Sequence, residues 1–236
     1  MKKTAVCSET LPESAKRELS RFVDGIVLLP PHPALPEPVA AHADMLFCTV
    51  DKTVFFDKIY TETYPDVVEA VRAAGGFGLM TVPPLGGEYP NDISLNVIVA
   101  EGFAVCRRDS VSSEVLSHLV GSGRRVIDVN QGYASCSCLC FRGLVVTADR
   151  GIANGLSGVC DVLTICPGGI SLPPYDTGFI GGASGVDGDK VLFVGDVTAH
   201  PDGERMVSAL ESRGAKCASL GGGELSDVGG IKFING

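Results

Sequence analysis

Polar residues that could carry out chemistry recur along this chain at near-constant spacing. They are Asp44, Asp92, Cys136, Ser184 and Asp227, and successive members lie 48, 44, 48 and 43 residues apart. His42 lies two residues before the first of them. Carboxylates accept the N–H groups of a planar guanidinium ion, a thiolate can attack its central carbon, and a histidine can carry the proton to the leaving amine. The set therefore predicts a site that modifies a guanidino group.

A repeated unit precedes each of these residues and must position it. The unit consists of a helix with an apolar face, a glycine and a short apolar strand. In the second unit, Val67, Val71 and Ala74 have helical spacing, and Gly75 with Gly76 ends the helix. Since one such unit cannot bury its apolar face alone, the repetition predicts that the units pack around a common axis.

Two further patterns define the strands of each unit. The unbroken apolar runs Ile26–Leu29 and Val162–Ile165 predict strands that are buried on both faces. Two-residue turns that contain glycine, such as Glu101-Gly102 and Arg142-Gly143, separate β-rich runs and predict hairpins.

The two chain ends complete one unit between them. The last unit has one hairpin strand within Gly230–Gly236, and the N-terminal run Thr4–Cys7 can supply the missing partner. We therefore predict an α/β fold, a five-bladed propeller of five ββαβ-like repeats with pseudo-fivefold symmetry, closed by the N-terminal strand. The prediction is a single domain over residues 1–236, in which the five recurring positions converge on the axis.

This organisation resembles the pentein superfamily of arginine deiminases, agmatine deiminases, dimethylarginine dimethylaminohydrolases and amidinotransferases. Gly221–Asp227 is similar to the glycine-rich run that leads to the nucleophilic cysteine of agmatine deiminases, and His42-Ala-Asp44 is similar to their His-x-Asp motif. The resemblance implies a covalent thiouronium intermediate on a cysteine. Asp227 stands where the family keeps that cysteine, so Cys136 would have to act as nucleophile, or the covalent mechanism is lost.

Structural explanations compete with each functional one. Asp92 could form only an Asx-type turn, and His42 could be a hydrogen-bonded structural histidine. In a strand, Cys136, Cys138 and Cys140 would point to one face, which leaves open a metal or redox site. Metal ligation usually requires Cys-x-x-Cys spacing and a second pair, and a buried cysteine can act as a small apolar residue. We expect no metal and no cofactor.

The composition restricts the partners. A net charge of −9 argues against nucleic acid and is compatible with a small cationic, guanidino-type ligand. The N-terminus lacks the apolar segment of a signal peptide, and no apolar run is long enough for a membrane span. Nine cysteines without framework spacing indicate reduced thiols. We expect a cytoplasmic protein without a membrane partner; the sequence permits a homo-oligomer and does not fix the oligomeric state.

Two functions follow from these observations. The first is a hydrolase or amidinotransferase that acts on C–N bonds of a guanidino or ureido compound. Cys136 would be its nucleophile and His42 its acid–base group, and Asp44, Asp92, Asp227 and Ser184 would bind the substrate. The alternative is a catalytically silent pentein-like protein that binds a small ligand or a macromolecule.

Overall fold

The structure, a computed structural model, describes residues 2–235, so Met1 and Gly236, the ends of the predicted domain, lie outside the described residues. The described strands are β1 Lys3–Ser8, β2 Gly25–Leu29, β3 Phe47–Val50, β4 Thr53–Asp57, β5 Gly78–Val82, β6 Ile98–Val99, β7 Phe103–Cys106, β8 Arg125–Asp128, β9 Cys138–Phe141, β10 Leu144–Thr147, β11 Asp161–Thr164, β12 Ile170–Ser171, β13 Ser184–Asp187, β14 Lys190–Val194, β15 Lys216–Leu220, β16 Leu225–Ser226 and β17 Lys232–Asn235. The described α-helices are α1 Glu13–Leu19, α2 Ala43–Leu46, α3 Lys58–Thr63, α4 Pro65–Gly75, α5 Ser113–Gly121, α6 Arg150–Gly155 and α7 Gly203–Glu211.

Five three-stranded sheets share one topology. Their strand orders are β3-β4-β5, β6-β7-β8, β9-β10-β11, β13-β14-β15 and β17-β1-β2. In each sheet the first strand pairs antiparallel with the second, and the second pairs parallel with the third. At least one helix connects the two parallel strands of every sheet. The repeated unit predicted from the sequence is therefore the repeated unit of the structure.

The predicted pairing of the two chain ends is confirmed. Strand β1 lies antiparallel to β17, with Thr4 opposite Ile234 and Ala5 opposite Phe233. The same strand runs parallel to β2, so it is the central strand of the fifth sheet. Pairing of the N-terminal and C-terminal strands joins the last unit to the first.

Local sequence signals set the helix ends, and the glycine signal at the end of α4 was predicted from the sequence. Helix α4 starts with Pro65, whose fixed φ suits the first helical position. It ends before Gly76, which has a φ of 58° in the left-handed region that favours glycine. Asp57 ends β4 and caps α3, since its side chain accepts from the backbone N–H of Ile59.

The prediction that Ile26–Leu29 and Val162–Ile165 are buried on both faces is wrong. These runs form most of β2 and β11, which are the outermost strands of their sheets. Leu28 is 39% exposed, because an outer strand has a neighbour on one side only. The fully buried strands are central ones, such as β7 and β10.

None of the described helices combines the length and the apolar character that crossing a membrane requires.

Candidate functional site

Four of the six residues predicted for the site line one cavity of about 220 Å³. They are His42, Asp92, Cys136 and Asp227. The remaining lining is mostly apolar or aromatic, and includes Pro36, Val39, Met45, Tyr133, Leu172, Tyr175, Thr177 and Phe179. We call this space the carboxylate cavity. Asp44 is 1% exposed and lies near enough for its charge to act on Cys136 and Asp227, so it belongs to the same group of side chains.

Short segments before the hairpin strands bring these residues together. Asp44 lies in α2, and its backbone N–H donates to the Gly229 carbonyl at 3.0 Å. This contact ties the first hairpin segment to the last. Asp227 follows β16, and its carboxylate accepts from the backbone N–H groups of Phe179 at 2.8 Å and Gly229 at 3.0 Å. Backbone contacts across three units therefore fix the two carboxylates.

Ser184 does not reach the carboxylate cavity. It is the first residue of β13, whereas Asp44 and Cys136 lie three and two residues before their strands. Its hydroxyl donates to the Ile180 carbonyl at 2.8 Å. The equal spacing in sequence was misleading because the segment that leads into each hairpin differs in length.

In the fourth unit, glycines lie where the side chain of any other residue would collide with Asp227. A Cβ atom at Gly182 would overlap the carboxylate of Asp227. Gly178 approaches the same side chain. The glycine-rich segment therefore allows close packing of backbone around Asp227.

Buried carboxylates without a counter-cation dominate the cavity. Asp44, Asp92 and Asp227 are 1%, 3% and 5% exposed. Both carboxylate oxygens of Asp44 and Oδ1 of Asp92 lack a hydrogen-bond partner among the residues that the structure describes. Within residues 2–235, no ion pair joins a lysine or arginine to any of the three. Since a buried, unpaired charge is costly, the arrangement favours binding of a cation.

Asp92 does not form the Asx-type turn that the sequence left open. Its Oδ2 accepts from the hydroxyl of Tyr133 at 2.7 Å, and its Oδ1 has no partner among the described residues. An Asx turn would require an acceptor contact with a nearby backbone N–H. The free oxygen is therefore available to a ligand in the cavity.

The thiol of Cys136 is held by an asparagine that the sequence analysis missed. Asn96 Nδ2 donates to Cys136 Sγ at 2.9 Å and to the carbonyl of Asp44 at 3.0 Å, while its Oδ1 accepts from the backbone N–H of Ser135 at 2.7 Å. The sequence contained one signal for this residue, because Asn96 is a polar amide within the mainly apolar run 93–99. Its contacts arise only when three units converge.

The electrostatics of the carboxylate cavity keep this thiol protonated. Burial raises the pKa of Cys136 well above its usual range, and the charges of Asp44 and Asp227 raise it further. The hydrogen bond from Asn96 acts in the opposite direction. A cation bound beside the carboxylates would offset their repulsion and make the thiolate more accessible.

His42 and Asp227 form a close buried pair. His42 Nδ1 lies 3.7 Å from Asp227 Oδ1. Burial lowers the pKa of His42, although the charge of Asp44 acts against this shift. Burial and then the charge of Asp44 raise the pKa of Asp227 to about 7. Near neutral pH, the cavity thus combines an imidazole that can accept a proton with a carboxyl group that is partly protonated.

The raised pKa of Asp227 gives a stability prediction. The native state holds this proton up to higher pH than the unfolded chain does, so the contribution of Asp227 to the free energy of unfolding should fall as pH rises from about 5 to 8. The loss should be about 3 kcal/mol, from roughly 1.4 kcal/mol per pKa unit. Urea unfolding of wild-type protein and of Asp227→Asn across this range measures it. The variant should lack this slope, and equal slopes would refute the shift. His42, whose pKa is lowered, contributes in the opposite direction in wild type and variant alike, so the difference between the two proteins isolates Asp227.

Cys136 does not align with Cys138 and Cys140, contrary to the sequence prediction. Residues 134–137 form a turn, and only Cys138 and Cys140 belong to β9. Cys136 packs near Met45, while the other two lie in a separate apolar cluster. Across residues 2–235 we find no group of three or more histidine, cysteine or acidic residues placed to hold a metal ion.

Comparisons with known proteins agree with this architecture. The sequence profile of a family of unknown function, DUF6873, matches residues 6–232. None of the curated proteins matches the chain. A mutant DDAH from Pseudomonas aeruginosa, complexed with citrulline, has a TM-score of 0.59 at 9% sequence identity, over 93% of this chain and 92% of that chain.

Two other solved structures are similar. SxtG, an amidinotransferase from Microseira wollei in the saxitoxin biosynthetic pathway, has a TM-score of 0.54 at 11% identity, over 97% of this chain and 89% of its own. ArgZ, an arginine dihydrolase from the ornithine–ammonia cycle in cyanobacteria, has a TM-score of 0.51 at 12% identity, over 100% of this chain and 39% of its own. At these identities the likeness establishes the fold alone, which is the fold that the sequence resemblance implied.

Proposed function

This chain belongs to a family of unknown function, DUF6873, and has a pentein-like α/β fold, and from this premise we propose that it is a hydrolase or amidinotransferase acting on the guanidino or ureido group of a small cationic substrate. One observation carries the proposal. Three buried carboxylates without a lysine or arginine partner in residues 2–235 surround a buried thiol.

We further propose that residues 1–236 form one five-bladed α/β propeller. Five sheets of identical topology support this arrangement. The pairing of β1 with β17 supports closure between the last unit and the first. The carboxylate cavity would then lie at one end of the axis, where the segments before the hairpin strands meet.

Each residue has a proposed role. Asp44 and Asp92 accept the N–H groups of the guanidinium through their unpaired oxygens, and Asp227 adds negative charge beside them. The bound cation offsets the repulsion that suppresses ionisation of Cys136. Ser184 is left out, because its hydroxyl is engaged by a backbone carbonyl outside the cavity.

The proposed chemistry then needs one proton carrier. His42 takes the proton of the Cys136 thiol, and the thiolate sulfur forms a bond to the central carbon. The C–N bond to the leaving amine breaks, and the amine takes the proton from His42. In a hydrolase, water gives a proton to His42 and forms a C–O bond to the same carbon; in a transferase, an acceptor amine forms a C–N bond there in the same way. The C–S bond then breaks, and the sulfur takes the proton back from His42 to restore the Cys136 thiol. Cys136 belongs to the third unit, so in this proposal it replaces the cysteine that the resemblance places at Asp227.

A binding protein without activity is the second candidate. The observation that favours it is the protonated, buried state of Cys136. Incubation with agmatine, arginine and other guanidines, followed by assay of ureido products and mass spectrometry of the Cys136 peptide, separates the two. Product or a Cys136 adduct supports the enzyme, whereas saturable binding without either supports the binding protein.

The cavity also predicts a preference among guanidines. No lysine or arginine occurs among its described lining residues. The α-carboxylate of bound arginine would therefore lie near three aspartates of like charge without a cationic partner, whereas agmatine has no such carboxylate. We expect agmatine to bind at least about tenfold more tightly than arginine, since a lost charge-assisted contact costs roughly 1.5 kcal/mol or more. Calorimetric titration of both compounds measures the ratio. Tighter binding of arginine would contradict this description of the cavity.

A further inference from the structure

A second cavity, of about 280 Å³, lies between the first strands of all five sheets. Its lining includes residues of β3, β6, β9, β13 and β17. We call it the inter-sheet cavity. It shares no lining residue with the carboxylate cavity, so it constitutes a separate space for a ligand.

Lys232 gives the inter-sheet cavity a positive charge. Among the described residues it is the one charged side chain in the lining. Its Nζ donates to the hydroxyl of Ser135 at 3.1 Å, and no ion pair within residues 2–235 includes it. The chain has a net charge of −9, yet this half-buried lysine has no carboxylate partner in residues 2–235. Its charge therefore favours binding of an anion.

The hydrogen bond to Ser135 places the ammonium group of Lys232 beside the segment that leads into β9, outside its own sheet. Its charge acts on the thiols of Cys48 in β3 and Cys140 in β9, where it opposes the effect of burial. Lys232 is therefore close to strands of two other sheets.

The remaining lining suits an oxyanion. The hydroxyls of Thr49 and Ser135 are hydrogen-bond donors, and the lining contains no carboxylate within the described part of the chain. A volume of about 280 Å³ holds an ion of phosphate size together with water, since one water occupies about 30 Å³.

We propose that the inter-sheet cavity is a binding site for a small oxyanion, held by Lys232 and Ser135. The proposal is independent of the chemistry at the carboxylate cavity, because it involves different residues and a ligand of opposite charge. Inorganic phosphate is the probe, and acetate, titrated in parallel at equal ionic strength, distinguishes a phosphoryl group from a carboxylate as the preferred anion.

Calorimetric titration of the full chain tests the site. We expect saturable binding of phosphate or acetate at about millimolar concentration, an affinity typical of a single charge contact. Lys232→Gln should weaken it at least tenfold, and Lys232→Arg should retain it within a few-fold. Lys58→Gln is the matched control, because it removes the same charge from the exposed helix α3 and should leave binding unchanged.

Two results would overturn the proposal. One is the absence of saturable binding of either anion by wild-type protein, which needs no variant to be interpreted. The other is equal affinity in Lys232→Gln and Lys58→Gln, with both shown to be folded by circular dichroism. If Lys232→Gln does not fold, Ser135→Ala replaces it, and affinity equal to wild type in that variant, shown to be folded, would count against the site.

Discussion

Asp44→Asn should stabilise the ligand-free protein and at the same time weaken binding of a guanidinium compound. Both carboxylate oxygens of Asp44 are buried without a hydrogen-bond partner in residues 2–235, and the charge acts unfavourably on Asp227 and Cys136. Removing the charge should raise the free energy of unfolding by about 1–3 kcal/mol. Loss of a charge-assisted contact to the cation should weaken agmatine binding by at least about tenfold. Urea unfolding and calorimetry measure the two effects.

Asp57→Asn is the matched control for this prediction. Asp57 is also fully buried, but its Oδ2 contacts Nε2 of His32 at 3.0 Å and its Oδ1 accepts from the N–H of Ile59 at 2.9 Å. The variant should lose about 1–3 kcal/mol of stability and keep its affinity for agmatine. If Asp44→Asn behaved like Asp57→Asn in both measurements, Asp44 would be a structural residue.

Cys136→Ser should abolish turnover and leave binding of the substrate within a few-fold of wild type. The sulfur atom forms the proposed covalent bond, and a serine hydroxyl in the same place is a far weaker nucleophile. We expect a loss of at least about 10³-fold in kcat. Product assay with agmatine and calorimetry of the variant separate chemistry from binding.

Cys138→Ser provides the comparison. Cys138 is also buried, but it belongs to β9 and lies outside the carboxylate cavity. It should retain turnover. Equal activity of Cys136→Ser and wild type would exclude Cys136 as the nucleophile, whereas absence of turnover in the wild type across the guanidine panel would favour the binding protein.

Much of the fold follows from local sequence signals. The deficit of one strand in the last unit, together with the run Thr4–Cys7, correctly predicts the pairing of β1 and β17. Gly75 and Gly76 correctly mark the end of α4. These features depend on residues close in sequence or on counting strands. The exposure of Leu28 could not be predicted in the same way, because an apolar run does not reveal which strand lies at the edge of its sheet.

The composition of the site was less predictable than the fold. Of the five repeated positions, Asp92, Cys136 and Asp227 line one cavity, and His42, chosen because it lies two residues before Asp44, lines it as well; their roles stay predictions. Repetition failed for Ser184, since the length of the segment before each strand, rather than the spacing between units, decides which position reaches the cavity. Asn96 was missed because its hydrogen bonds to Cys136 and Asp44 join residues far apart in sequence.

Calorimetric titration of Cys136→Ser with agmatine near pH 7, in two buffers of different ionisation enthalpy, tests the central claim that the buried carboxylates bind a guanidinium cation. The variant prevents turnover, and the two buffers report protons exchanged on binding. We expect saturable binding with net proton release, because a cation favours the ionised form of Asp227, whose pKa is raised to about 7 by burial and by the charge of Asp44. Absence of saturable heat, or binding with no proton release, would contradict the account.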